Sequence, residues 1–287
     1  MNFFGLFKKK PVVNNDPIAT QNPGDDAGQK PVDNAKAEAE QPENNAEASA
    51  PSSTPIAADG KAHIYNLIII DESGSMGYLR DATLSGVNET INTIRQAQKD
   101  FADKQTHFLT LVTFDSPGPR GVSVRTLIDA KPITEVQDFS TYNPCGCTPL
   151  YDAMGQSITR LHHLVKDDED ATAIVTVMTD GLENASHEYN ARILKTLIEQ
   201  LKEEGWTFNY MGSAHDVRSV CDMLSIENML EFSHDEQGTG ATWEHERSSK
   251  QRLFSRMSMD WDDMKSCSAA EKREYRKRNS KDYYEND

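Results

Sequence analysis

The sequence contains no apolar run that approaches the roughly 20 residues a membrane-spanning helix needs. Its four cysteines are too few and too unevenly placed for a disulfide scaffold, which favours reduced thiols in a cytoplasmic protein. Basic residues are also outnumbered, because 30 Lys and Arg face 46 Asp and Glu and give a formal net charge of −16. This balance argues against a general affinity for nucleic acid or for anionic lipid.

The first sixty residues contain few large apolar side chains. Residues 1–10 place three lysines after a short Phe and Leu cluster, the reverse of the order in a secretory signal, so we expect no export by the general route. One such segment gives at most weak membrane contact, and we interpret it as a docking tag. Residues 11–60 are rich in Asn, Ala, Glu and Pro, which predicts a disordered acidic linker.

From about residue 61 the apolar residues follow strand and helix periods in alternation. Apolar runs predict six strands, at residues 63–70, 108–114, 121–128, 173–178, 207–211 and 229–232. Helical spacing predicts helices between them, at residues 80–104, 154–165, 193–201 and 217–224. This alternation predicts an α/β fold for residues 61–235. We expect a Rossmann-like, doubly wound, mainly parallel central sheet with one antiparallel edge strand and helices on both faces.

Residues 236–287 are predicted to form a C-terminal helical extension. Large apolar residues recur at helical spacing within residues 242–264, which favours a helix that packs on the domain rather than on a partner. Residues 271–287 mix charges of both signs, and we expect them to fray.

Oxygen-bearing side chains follow two of the predicted strands and precede one helix. Asp71, Ser73 and Ser75 alternate directly after the first strand, Thr148 stands just before a helix, and Asp180 follows the strand at residues 173–178. Sites in such sheets form beyond the carboxyl ends of the strands, where Asp71 and Asp180 are placed. Ligands that offer only oxygen suit a hard divalent cation, Mg²⁺ above all, with Mn²⁺ as a substitute.

Three motifs occur here in a fixed order: Asp-x-Ser-x-Ser at residues 71–75, Thr-Pro-Leu-Tyr-Asp-Ala at 148–153 and Thr-Asp-Gly at 179–181. They resemble the von Willebrand factor A (vWA) domain and its metal-ion-dependent adhesion site (MIDAS), over roughly residues 62–232. The resemblance implies that Ser73, Ser75 and Thr148 bind Mg²⁺ directly, whereas Asp71 and Asp180 act mostly through water. It further implies a non-enzymatic module that captures a protein partner, and we expect the partner's Asp or Glu side chain to complete the coordination.

Several neighbouring residues have simpler interpretations. By alternation Glu72 points away from the site, so we expect it to face solvent or to cap. Asp152 is expected to support its loop or the start of the helix, and Glu183 and Asn184 to shape the rim. Oxidation of Cys145 and Cys147, on either side of Gly146, would offer a way to distort Thr148.

Two alternatives to the binding module remain at this point. One is a Mg²⁺-dependent phosphate hydrolase, although phosphatases with an aspartate nucleophile need a second acid where Ser73 stands, and the chain lacks a G-x-x-x-x-G-K-[ST] loop. A serine hydrolase would need glycine where Ser73 begins the Ser-Gly-Ser-Met-Gly string. The other alternative is a scaffold in which the metal only stabilises the fold.

Overall fold

The computed structural model describes residues 59–118, 121–213, 217–232, 235–281 and 283–284. The predicted docking tag at residues 1–10 and nearly all of the predicted linker at 11–60 lie outside these ranges. No helix in the described part of the chain is both long enough and apolar enough to cross a membrane.

Six strands form one sheet in the order β3-β2-β1-β4-β5-β6. Their bounds are β1 Ala62–Asp71, β2 Gln105–Asp115, β3 Ser123–Pro132, β4 Ala171–Thr179, β5 Thr207–Ser213 and β6 Asn228–Phe232. All neighbours are parallel except β2 and β3, which pair antiparallel. The predicted mainly parallel sheet with one antiparallel edge strand is therefore confirmed.

The central strands are buried along their whole length. Every residue of β1 and β4 is buried, as expected for parallel strands that are covered on both faces. β3, at the edge of the sheet, is half-buried and alternates in exposure, and its pairing with β2 shifts register near Leu111. The sheet thus places the carboxyl ends of β1 and β4 side by side near its middle.

Helices cover both faces of the sheet, as the sequence predicts. They are α1 Arg80–Asp100, α2 Leu150–Val165, α3 Ala191–Glu203, α4 Val217–Leu224, α5 Glu236–Met264 and α6 Ala269–Ser280. Apolar residues of α2, α3 and α4 pack in one core cluster with one face of the sheet. Apolar residues of α1 and α5 pack in a second cluster with the other face.

The helix α5 packs on the domain itself. A Cβ atom added to Gly86 of α1 would lie 2.2 Å from the Trp243 ring, so the close approach of α5 to α1 requires glycine there. The Gln105 side chain at the start of β2 donates to the Phe254 carbonyl of α5 at 2.8 Å, and Trp261 donates to the Gly60 carbonyl at 2.9 Å. These contacts agree with the expectation that this helix packs on the domain.

The expectation that the chain frays from residue 271 is wrong up to the end of α6. Ser268 and Glu271 form a capping box that satisfies the first backbone N–H groups of α6. Lys272, which is buried, pairs with Asp170 at 2.6 Å, and Lys277 pairs with Glu203 at 2.7 Å. A cap and ion pairs to distant residues thus hold a helix that has little apolar periodicity of its own.

A fully buried ion pair lies between α5 and the sheet. Lys250 Nζ is 3.3 Å from Glu246 Oε1, and both side chains are 0% exposed. Glu246 also accepts hydrogen bonds from the hydroxyls of Thr176, Tyr283 and Tyr284 at 2.8, 3.3 and 2.7 Å. Burial lowers the pKa of Lys250, and the carboxylate of Glu246 opposes that shift. The charged form of Lys250 is therefore stabilised mainly by Glu246, whereas the Glu246 carboxylate also has three hydroxyl donors.

We expect Glu246→Gln to lower the free energy of unfolding by about 3–5 kcal/mol, because it leaves the Lys250 ammonium buried without a countercharge. Lys250→Met should cost about half as much, since three hydroxyl donors remain on the Glu246 carboxylate. The double variant should be more stable than Glu246→Gln alone. Urea unfolding at pH 7 measures all three, and a double variant less stable than Glu246→Gln would contradict this account.

Candidate metal site

Asp71, the last residue of β1, is fully buried and joins two strand ends. Its Oδ1 accepts a hydrogen bond from the Ser73 backbone N–H at 2.7 Å, and its Oδ2 accepts one from the Thr179 hydroxyl of β4 at 2.5 Å. Burial raises the pKa of the Asp71 carboxyl to about 6, although the hydrogen bonds from Thr179 and Ser73 act in the opposite direction. The carboxylate thus fixes the turn after β1 against the end of β4.

Two serine hydroxyls and a second carboxylate meet next to Asp71. Ser73 Oγ lies 3.2 Å from Ser75 Oγ, and the Ser75 hydroxyl donates to Asp180 Oδ1 at 2.6 Å. Ser73 and Asp180 are buried, whereas Ser75 is exposed. The cluster therefore opens to solvent on the side of Ser75.

Thr148 reaches the same place from a loop that is tied to both neighbouring turns. The Gly74 N–H donates to the Gly146 carbonyl at 3.0 Å, and Ser116 and Cys147 exchange two backbone hydrogen bonds, each 3.0 Å long. A Cβ atom added to Gly181 would lie 3.3 Å from Thr148 Oγ1 and 3.8 Å from Ser75 Oγ. The structure thus brings together all five predicted residues, while their binding of a metal stays a prediction.

The residues expected to shape the rim hold Thr148 and α2 in place. Asn184 accepts from the Thr148 N–H at 2.9 Å and donates its own backbone N–H to the Thr148 carbonyl at 3.1 Å. Glu183 accepts from the Tyr151 N–H at 2.8 Å, in the first turn of α2. Asp152 accepts three backbone N–H groups of residues 187–189, at 2.7 to 2.9 Å, so it joins the start of α2 to the loop after β4 rather than supporting its own loop.

Tyr78 belongs to the site but was not predicted from the sequence. It lies in the 3-10 turn Gly74–Leu79, and its hydroxyl donates to Asp180 Oδ2 at 3.2 Å. Burial and the nearby charge of Asp180 raise the pKa of the Tyr78 phenol. Its side chain is 45% exposed, so an aromatic ring stands at the mouth of the site. The only sequence signal was its position three residues after Ser75.

The expectation that Glu72 faces solvent or serves as a cap is wrong. Glu72 is 5% exposed, and its Oε2 pairs with Arg125 Nη2 at 2.5 Å. Its Oε1 accepts the Asn143 N–H at 2.6 Å. Alternation does turn Glu72 away from Asp71, but β3 and the loop before Thr148 cover that side.

The donor chemistry fits a hard divalent cation. Within the described ranges, no group of three or more His, Cys, Asp and Glu side chains is placed to hold a metal, so a metal here has to use hydroxyls as well. The five converging side chains offer three hydroxyls and two carboxylates, all of them oxygen donors. This set suits Mg²⁺ or Mn²⁺ and lacks the nitrogen or sulfur ligands that zinc and copper prefer.

Solved structures match this arrangement of strands and helices. The pilus adhesin SpaC from Lactobacillus rhamnosus GG matches 67% of this chain and 31% of its own, at 13% identity and a TM-score of 0.51. A von Willebrand factor type A from Catenulispora acidiphila matches 66% of this chain and 43% of its own, at 17% identity and a TM-score of 0.45. The match to SpaC shows that the chain shares a Rossmann-like α/β fold with part of that adhesin.

A third match is proximal thread matrix protein 1 from the mussel byssus, described with a zinc occupied MIDAS motif. It covers 64% of this chain and 47% of its own, at 15% identity and a TM-score of 0.43. The chain thus spans less than half of each of these three proteins, and identities this low show the fold alone. No family model and no curated protein sequence matches the chain.

The loop that presents Thr148 requires glycine at position 146. Gly146 has a φ of +78°, and a Cβ atom there would lie 2.4 Å from the Ser116 carbonyl oxygen. Gly77, in the 3-10 turn beside Ser75, has nothing within 4 Å of such an atom. Gly146 therefore is a position where alanine should be strained, and Gly77 is a control position near the same site where it should not be.

We expect Gly146→Ala to lower the free energy of unfolding by about 2 kcal/mol or more, from left-handed backbone strain and the clash with Ser116. Gly77→Ala should stay within about 0.5 kcal/mol of the parent, as surface substitutions generally do. Chemical denaturation of both variants is the measurement. Equal stability of the two variants would show that the loop before Thr148 does not need this conformation.

Proposed function

We propose that this chain is a non-enzymatic, metal-dependent protein-binding module. Asp71, Ser73, Ser75, Thr148 and Asp180 hold Mg²⁺, with Mn²⁺ as a substitute, and an Asp or Glu of a protein partner completes the coordination. One observation supports this most: three turns converge at the carboxyl edge of the sheet, where oxygen donors meet and open to solvent at Ser75.

The proposed division of work follows from charge and position. Ser73, Ser75 and Thr148 bind the ion directly, whereas Asp71 and Asp180 act mostly through water. Neutral hydroxyls leave more of a cation's charge uncompensated than carboxylates do, and this surplus attracts a carboxylate from outside. Hydrogen bonds from the Ser73 N–H to Asp71 and from the Thr148 N–H to Asn184 hold these hydroxyls in position before a partner arrives.

We also propose that the protein works in the cytoplasm. All four of its cysteines are free, and two of them, Cys145 and Cys147, are exposed. Exposed free thiols persist in a reducing compartment. Fractionation of the native cell tests this, and recovery of the protein outside the cytoplasmic fraction would reject it.

We expect Ser75→Ala and Asp180→Ala each to weaken Mg²⁺ binding by about tenfold or more, since each removes an oxygen donor or the group that orients one. Ser85→Ala, on the exposed surface of α1, is the control and should bind as the parent does. Isothermal titration calorimetry with Mg²⁺ and with Mn²⁺ measures the affinities, and thermal melts in EDTA confirm folding. Unchanged affinity in both variants would remove these residues from a metal site.

Partner capture tests the second half of the proposal. The parent chain in millimolar Mg²⁺ should retain a protein from the native lysate, and either EDTA or Ser75→Ala should reduce its recovery about tenfold or more. Mass spectrometry identifies the retained protein. Capture that survives both treatments would favour a scaffold whose metal is only structural. Phosphate release that depends on Mg²⁺ and Asp71 would favour a hydrolase.

A further inference from the structure

A groove of about 810 Å³ lies beside the metal site, between the β2–β3 side of the sheet and residues 136–145. Its volume falls within the range of sites that hold ligands. Its apolar walls are formed by Leu111, Leu127, Val136 and Phe139. At one end it reaches Glu72 and Cys145, in the loops that present the site.

The side chains at that end of the groove carry more negative than positive charge. Arg125 pairs with Glu72 at 2.5 Å and with Asp115 at 3.2 Å, so one guanidinium faces two carboxylates. The Glu72 and Asp115 side chains are only 7% and 2% exposed. A surplus negative charge that is shielded from water is unfavourable until a cation approaches it.

The remaining acceptor capacity lies on Asp115. Both Glu72 oxygens are occupied, by Arg125 and by the Asn143 N–H, and the Cys145 thiol donates to Asp115 Oδ2 at 3.3 Å. Asp115 Oδ1 is buried and accepts no hydrogen bond from any group in the described part of the chain, although Arg125 Nη1 is 3.2 Å away. The Asp115 carboxylate, which lines the groove, therefore keeps part of its negative charge unsatisfied.

We propose that this groove binds a basic side chain, a Lys or an Arg, of the protein partner that also supplies the acidic group at the metal. The aliphatic part of that side chain packs on Leu111, Val136 and Phe139, and its charged end lies at the end of the groove lined by Glu72 and Asp115, whose surplus negative charge attracts it. An uncharged ligand of the same shape leaves the surplus charge in place. The inference rests on the proposed function only in assigning both groups to one partner.

The groove and the metal site share backbone segments, and for this reason we assign both contacts to one partner. Glu72 lies between Asp71 and Ser73 in one turn, and its carbonyl accepts the Cys145 N–H at 2.8 Å. Asp115 precedes Ser116, which pairs with Cys147 in the loop that leads to Thr148. The groove and the metal site are thus built on the same loops, and one bound segment can contact both.

The groove is tested separately from the metal site by working with the full chain in EDTA. The probe is Nα-acetyl-lysine methylamide. Its uncharged counterpart, Nα-acetyl-norleucine methylamide, is the control. Titration followed by ¹H–¹⁵N NMR should shift the amide signals of Asn143, Cys145 and Leu127, and the norleucine compound should bind about fivefold or more weakly. Equal binding of the two compounds, or shifts elsewhere, would overturn the proposal.

Leu127, whose side chain is 45% exposed, allows a variant that should keep the fold. Leu127→Lys places a cation at the groove and should weaken the lysine probe about fivefold or more, while Leu164→Lys, which adds the same charge on α2 outside the groove lining, should bind within about twofold of the parent. Asp115→Asn removes the surplus charge and should also weaken binding, with a thermal melt to confirm folding. Unchanged binding in Leu127→Lys would argue against occupation of the groove.

A separate titration with Mg²⁺ and sodium acetate tests the metal site and should shift the signals of Ser75 and Gly181. If acetate fails and the lysine probe binds, the proposed function is wrong and the groove stands. If acetate binds and the lysine probe does not, the proposed function stands and the groove is rejected.

Discussion

A single buried carboxylate, that of Asp71, holds the ends of two neighbouring strands together, because it accepts hydrogen bonds from Ser73 on one side and from Thr179 on the other. Parallel pairing of β1 with β4 brings these ends to the same level, and the carboxylate fixes the turn that follows. Ser75 then lies within hydrogen-bond distance of Asp180. The rest of the site depends on this contact, since a turn free to move would not keep its hydroxyls aimed at one point.

Alternation along the same turn creates two electrostatic environments a residue apart. Asp71 and Ser73 face the oxygen cluster, while Glu72 between them faces Arg125 and the groove. Asp115 joins Glu72 on that side because β2 ends beside β1. The ion pairs that half-exposed Arg125 makes with these two buried carboxylates therefore support the turn on the side away from the oxygen cluster.

The sequence was sufficient for most of the fold and for the residues that converge. Strands buried on both faces, such as β1 and β4, appear as continuous apolar runs, so their presence and nearly their bounds were predictable, whereas the order of the strands in the sheet was not. Helix α6 was not, because it depends on a cap and on Lys272 reaching Asp170 across the fold. Glu72 was misjudged for a similar reason, since its partner Arg125 is 53 residues away in sequence. Tyr78 was not predictable either, because it belongs to none of the three motifs and to no helix or strand period.

Long-range charge bears on what sort of partner suits this molecule. At a net charge of −16 the chain repels an acidic surface, and this repulsion opposes a carboxylate that approaches the proposed cation at Ser75. A basic side chain next to that carboxylate offsets the repulsion, and the surplus charge at Asp115 provides a place for it. A partner with acidic and basic residues close together therefore suits this surface better than a uniformly acidic one. Such a pairing also sets orientation, because exchanging the two groups would place like charges in contact at both positions.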